Sequence, residues 1–168
     1  MISEGPRAVE NFSGVFAMPD SGIEEASDLE GATVSTNTLN NVGPLGINAV
    51  LDDQGADAAA IEYTEVAFPE AAPTLERGDI DAAWVVEPFT TRIQEQAGAV
   101  RVIDPFSGPT DGLAIAGYAV TAEFAEANPN TVAAIQRALQ RAADDLQDDA
   151  VARDAIEGYV DLDREIID

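Results

Sequence analysis

The run Thr36, Asn37, Thr38, Leu39, Asn40, Asn41, Val42, Gly43, Pro44 sets small amides and hydroxyls directly ahead of a helix-start signal. A helix N-terminus presents unpaired N–H groups and a partial positive charge, so a carboxylate, sulfonate or phosphate held there gains about 0.3–1 kcal/mol. The same Asn and Thr residues serve equally well to cap the helix and shape the turn, and spacing alone leaves both roles open. A second constellation is Asp81, Ala82, Ala83, Trp84, Val85, Val86, Glu87, Pro88, Phe89, an apolar strand that ends in a carboxylate. Glu87 there either faces a groove, where it would accept from an amine, or caps the helix that follows. Trp84, the sole tryptophan, suits a core position.

Covalent and metal chemistry find little support. The chain has no histidine and no cysteine, which removes the commonest general base and metal ligand along with thiolate nucleophiles and thiolate metal sites. Ser107 stands beside Gly108 but has no GxSxG frame and no histidine to activate it. Neither GxGxxG nor GxxxxGK[ST] occurs, so no nucleotide site is expected. The acids Asp144, Asp145, Asp148 and Asp149 lack the glycine and ligand spacing of a calcium loop and read as a solvated helix face. No catalytic residue, metal site or cofactor is expected.

Charge narrows the partners. Thirty-two Asp and Glu face eight basic residues, all arginine, for a formal net charge of −24 over 168 residues. A polyanion is a poor ligand for nucleic acid or an anionic leaflet, both of which need a cationic stripe. Dense carboxylates suit a surface kept hydrated in high salt, and GC-rich coding yields the same composition. The sequence shows no apolar run approaching the ~18–20 residues of a membrane span, and its first residues do not resemble a secretory signal.

The elements that would position these residues follow from alternation. From Ala32 onward, short apolar runs at Ala32–Ser35, Ala60–Tyr63, Ala82–Val86 and Val100–Ile103 are separated by helical stretches. That spacing predicts an α/β fold with parallel strands and right-handed crossovers. Ser27 and Glu30 have capping-box spacing, predicting one helical turn before the first of these strands. Pro69 and Pro88 suit helix starts, and Gly78 and Gly98 suit helix ends. Ile47, Val50 and Leu51 form one face of a helix with Pro44 in its first turn.

Both flanks differ from this centre. Ser13–Met18 reads as a strand followed by a Pro19–Gly22 turn, with nothing before it to complete a sheet, and is expected to connect to another lobe. After a turn-rich stretch from Pro105 to Gly112, Leu113–Val120 reads as a returning strand. Thr121 then caps a short helix carrying Phe124, and Asn128 with Pro129 opens a longer one whose apolar stripe is Val132, Ile135, Leu139, Ala142 and Leu146. The acidic stretch from Asp144 to the end is expected to be helical and solvated.

Three blocks then carry a resemblance: DLEGATVSTNTLNNVGPLGINAVL, IEYTEVAFPEAAPTLERGDIDAAWVVEPF and AGYAVTAEFAEANPNTVAAIQRAL. In this order and spacing, from about Ser13 to Ala143, they resemble the substrate-binding proteins of ABC importers of the nitrate, sulfonate and taurine type, the SsuA or NMT1/THI5-like group. The resemblance implies a type II periplasmic-binding-protein fold, two α/β lobes joined by two strands with a ligand clamped between them. Here it implies one complete lobe over 28–108, a connecting strand and turn over 1–27, and the return strand and helices of the other lobe over 109–168. The chain then looks like an N-terminally truncated member, and self-association is one way to bury its uncovered first-lobe surface.

By the same resemblance, Asn37, Thr38, Asn40 and Asn41 match the polar loop that faces the ligand, and Glu87 matches the polar position after the WVVEPF-type strand. The implied role is reversible, non-enzymatic binding of a small anionic or zwitterionic organic solute such as a sulfonate, nitrate, taurine or a pyrimidine. The implied partners are ABC permease subunits, and the implied location is extracytoplasmic. The pyrimidine-synthase branch relies on cysteine and histidine, so that activity does not carry over. A metabolite-sensing regulatory domain of the same fold is the alternative; the basic helix-turn-helix of LysR-type regulators does not occur in this sequence.

Overall fold

The computed structural model describes residues 1–9 and 11–159. In chain order the elements are β1 (Ser3–Glu4), β2 (Ser13–Ala17), β3 (Thr33–Thr36), α1 (Val42–Gln54), β4 (Glu62–Glu65), α2 (Phe68–Glu76), β5 (Ala82–Val86), α3 (Phe89–Ala97), β6 (Val100–Ile103), β7 (Gly117–Tyr118), α4 (Ala122–Ala127), α5 (Pro129–Asp145) and α6 (Asp149–Glu157). They divide into two compact units, Ala8–Leu113 and Met1–Arg7 with Ala114 onward. No helix among the described residues is long and apolar enough to cross a membrane.

The Ala8–Leu113 unit is built on a five-stranded sheet in the order β4-β3-β5-β2-β6. β3 runs parallel to β4 and β5, as the alternation predicts. β2 is an interior strand, antiparallel to both β5 and β6. It therefore separates β6 from β5, and the sheet is mixed rather than wholly parallel. The reason lies in its composition: all five residues of Ser13–Ala17 are buried, which an apolar run achieves only with neighbours on both sides. Side chains fix its place. The Trp84 indole donates to Ser13 Oγ at 3.4 Å, Arg101 donates to Asn11 Oδ1 at 2.6 Å, and the Arg101 guanidinium lies 5.4 Å from the Phe16 ring centroid. Residues 1–7 group with the second unit and β2 with the sheet.

Helices cover both faces of this sheet. Phe16, Ala83 and Val85 pack against Ala71, Ala72 and Leu75 of α2 and Ile93 of α3. α1 buries Ile47, Val50 and Leu51, the face read from its spacing, each contributing about 1.5–3 kcal/mol on removal from water. The backbone of Gly43 approaches the Trp84 indole so closely that a Cβ at residue 43 would overlap the ring. β4 begins at Glu62 rather than Ala60, because Ala58–Ala60 forms a 3-10 turn capped by Asp57, whose carboxylate accepts from Ala59 N at 3.0 Å.

The helical turn before β3 is present at Ala26–Leu29, but Ser27 and Glu30 do not cap it. Asp28 does, accepting from the N–H groups of Glu24 and Glu25 at 2.9 and 3.0 Å. Those backbone donors, Glu24 first, hold the Asp28 carboxyl below its ordinary value. Glu30 accepts instead from Asp57 N, at 2.8 Å.

In the second unit, Leu113–Val120 yields only β7, paired antiparallel with β1, a strand that sequence reading did not place. Thr121 caps α4 by accepting from Phe124 N at 3.1 Å, and Pro129 lies in the first turn of α5, both as expected. Val132, Ile135 and Leu139 are half-buried, whereas Ala142 and Leu146 are exposed, and no side chain of α4, α5 or α6 is fully buried. Asp148 caps α6 through Ala150 N and Val151 N. Residues 160–168 of the acidic tail lie outside the described residues.

Candidate functional site

Because β3, β4 and β5 are parallel, their carboxyl ends at Thr36, Glu65 and Val86 share one edge of the sheet, where the chain turns into α1, α2 and α3. Ligands of open α/β sheets bind outside such ends. Asn37–Asn41 leaves β3, and Glu87 directly follows its neighbour β5, so the five residues singled out from the sequence all stand on this edge, after strands spaced about 4.8 Å apart.

The Asn37–Asn41 loop is held by its own side chains and opens to solvent. Asn41 is the N-cap of α1, its Oδ1 accepting from Gly43 N at 2.9 Å. Its Nδ2 donates to Asn37 Oδ1 at 2.6 Å and to Thr38 Oγ1 at 2.9 Å. Thr36 Oγ1 donates to Thr38 O at 3.0 Å, and Asn40 takes a left-handed conformation, φ 57°, that Asn tolerates. Thr38, Leu39 and Asn40 are exposed, and Asn37 and Asn41 are half-buried. The capping role read from the sequence is filled by Asn41, and the segment lies open to solvent at the helix start.

The geometry limits what that mouth can offer an anion. Gly43 N–H is taken by Asn41, Pro44 has none, and Leu39 N–H donates to Glu65 Oε1 at 2.8 Å. The side-chain donors left are the Asn37 and Asn40 amide NH2 groups and the Thr38 hydroxyl; Asn37 and Thr38 accept from Asn41 through their oxygens and keep their own hydrogens. Glu87 is exposed and behaves as a cap, accepting from Thr91 Oγ1 at 3.1 and 3.2 Å and more weakly from Thr91 N at 3.4 Å. The Glu87–Pro88 peptide is cis.

Two further features of the edge escaped the sequence reading. Glu65, at the end of β4, anchors the loop through Leu39. Phe68 and Phe89, the first residues of α2 and α3, bring half-buried rings to 5.7 Å centroid separation, and Phe68 meets the buried Trp84 edge-on at 5.5 Å. The paired motifs Phe68-Pro69 and Pro88-Phe89 at equivalent strand-to-helix turns are the signal that could have found them. Among the described residues no cluster of three or more carboxylates is placed to hold a metal ion.

Comparison with known proteins places this arrangement. The alkanesulfonate-binding protein SsuA from Xanthomonas axonopodis pv. citri, bound to MOPS, superposes with a TM-score of 0.76 at 16% identity, over 94% of this chain and 53% of that one. The periplasmic aliphatic sulphonate-binding protein SsuA from Escherichia coli gives 0.66 at 19% identity, over 98% and 53%. The ligand-binding component of an ABC-type import system from Staphylococcus aureus, with zinc bound, gives 0.73 at 11% identity, over 94% and 54%. The fold is therefore that of the periplasmic binding proteins, and this chain spans about half the length of those solved structures. No curated protein matches it. The model of the NMT1/THI5-like family matches residues 8–151, which takes in the whole sheet and its carboxyl edge, and the chain belongs to that family.

Proposed function

We propose that this chain is the substrate-binding component of an ABC importer, holding a small anionic or zwitterionic organic solute reversibly outside the cytoplasm and presenting it to permease subunits. The observation that carries the reading is the solvent-facing Asn37–Asn41 loop at the carboxyl end of a parallel strand, next to the strand that Glu87 follows. The solute rests against the Asn37 amide, the Thr38 hydroxyl and the Asn40 side chain. Asn41 holds the loop in shape, and Glu87 takes an amine where the solute has one. No bond is made or broken, and selectivity comes from which polar groups stay paired when the solute is in place. Family membership and the shared fold of proteins named for sulfonate binding support this reading.

Thermal-shift and calorimetric titration with taurine, alkanesulfonates, nitrate, carboxylates and pyrimidines tests it. Asn37→Ala and Thr38→Ala are expected to raise the Kd of whichever compound binds about three- to tenfold each, the worth of one hydrogen bond. Asn41→Ala is a less clean probe, because it also removes the α1 cap and about 1 kcal/mol of stability without ligand. Unchanged affinities in Asn37→Ala and Thr38→Ala would take the loop out of the site.

A further inference from the structure

Among the described residues, two buried side-chain oxygens have no hydrogen-bond partner, Ser35 Oγ and Thr90 Oγ1. Both residues are closed to solvent, at 1% and 0% exposure, where a hydroxyl left unpaired is destabilising. Their settings differ. Ser35 lies inside β3, with Thr64 and Ala83 opposite it on the neighbouring strands. Thr90 is the second residue of α3, on the carboxyl edge that the reading above assigns to the solute.

The start of α3 is also unlike the other two helix starts on that edge. Pro44 and Pro69 each remove an N–H from the first turn of α1 and α2. The proline of α3, Pro88, is its N-cap, so the N–H row of Phe89, Thr90 and Thr91 is unbroken. Glu87 takes the third of these weakly, at 3.4 Å, and is held mainly by Thr91 Oγ1. The N–H groups of Phe89 and Thr90 have no acceptor among the described residues. Successive helical residues stand about 100° apart, so Glu87 keeps to the Thr91 side of the turn while Thr90 shares the buried side with Ile93.

A helical Cα–Cβ bond tilts toward the N-terminus, so the Thr90 side chain leans over the mouth of α3 rather than away from it. Helical threonines commonly bond a carbonyl three or four residues earlier; the Thr90 hydroxyl does not. A hydroxyl and two N–H groups are therefore left unspent at the positive end of one helix, an arrangement that suits an oxyanion.

We propose that Thr90 Oγ1, with the N–H groups of Phe89 and Thr90, takes an oxygen of the solute's sulfonate or carboxylate group, which makes Thr90 a specificity-determining residue. This deepens the solute-binding reading above and rests on it. The Asn37–Asn41 loop leaves the adjacent strand, so the two groups of donors flank neighbouring strand ends. Thr90 is enclosed in the solute-free chain, so an oxygen that reaches it leaves water entirely, and a charge-assisted hydrogen bond is strongest there.

The test is calorimetric titration of the full chain with butanesulfonate, butyrate and taurine, in about 0.5 M salt to screen repulsion by the net charge. Thr90→Val removes the hydroxyl and keeps the shape. It is expected to raise the Kd of whichever of these compounds binds about tenfold, while the thermal midpoint of the solute-free protein holds or rises. Thr90→Ser, which keeps a hydroxyl, should stay within about threefold of the unaltered protein. Ser35→Ala removes the other unpartnered hydroxyl and should leave the Kd unchanged. Unaltered affinity in Thr90→Val, with Asn37→Ala and Thr38→Ala still weakening the same compound, overturns the Thr90 assignment and leaves the solute-binding reading standing. Equal losses in Thr90→Val and Ser35→Ala show a general effect of core packing and overturn the assignment as well. Silence from all three compounds removes both.

Discussion

Between Ala8 and Leu113, α1, α2 and α3 each lie between two strands of one sheet and bury side chains completely, among them Leu51, Leu75 and Ile93. Between Ala114 and Tyr159, α4, α5 and α6 follow a two-residue strand and bury none. Both regions have apolar residues at helical spacing. The difference is the surface each stripe has to meet: a five-stranded sheet with two faces in one region, and the β1–β7 pair in the other. A helical stripe specifies which side will be buried; a broad apolar partner decides whether it is.

Core truncation breaks this contrast most sharply. Leu51→Ala is expected to cost about 3 kcal/mol, the usual price of a fully enclosed leucine, whereas Leu139→Ala on the half-buried α5 stripe should cost about 1 kcal/mol or less. Chemical denaturation followed by Trp84 fluorescence measures the first and circular dichroism at the helix band the second; equal costs would erase the distinction between the regions. A smaller effect sharpens it from the packing side. Gly43→Ala drives a methyl into the Trp84 indole and is expected to destabilise the sheet unit by about 1–3 kcal/mol, with a changed tryptophan emission, while Gly158→Ala in the second region, where a Cβ would make only ordinary van der Waals contacts, should be near neutral.

The mildest test uses alkali. Burial pushes the Tyr63 phenol above its ordinary value, while its hydroxyl donates to Asn48 Oδ1 at 2.7 Å. Since the folded value is raised, the contribution of Tyr63 is fully present below about pH 10 and is lost as the pH rises beyond it, because the unfolded chain releases that proton first. Stability measured against pH should therefore fall in that range, and Tyr63→Phe should flatten the fall.

The reach of the sequence follows the same physics. β5 and β6 begin and end where their apolar runs do, and the buried face of α1 is the one its i, i+3, i+4 spacing named. These are local signals. The position of β2 was not legible, since its partners Val86 and Ile103 are far along the chain and a five-residue apolar run does not say which strands it will join. Glu62–Glu65 was displaced because the apolar Ala60 and Ile61 belong to the end of a 3-10 turn rather than to a strand.

At the candidate site, the loop between β3 and α1 was legible as a helix start because helix starts have a vocabulary of Asn, Thr and Pro. Its internal spending of donors was not. Whether Asn41 caps with its oxygen and clasps Asn37 and Thr38 with its nitrogen depends on how the turn closes, and the link from Leu39 to Glu65 crosses between strands. The Phe68, Phe89 and Trp84 group likewise comes from three segments that only the parallel pairing brings to one edge.

The antiparallel placement of β2 also bears on how the protein is made. It is the first of the five strands to leave the ribosome, yet both its neighbours are among the last, so an apolar Ser13–Ala17 segment waits unpaired until Val86 and Ile103 have been synthesised. Delayed pairing of this kind slows folding and leaves a sticky strand exposed during translation, which makes a nascent-chain chaperone more valuable to this protein than to one whose strands pair in the order they emerge.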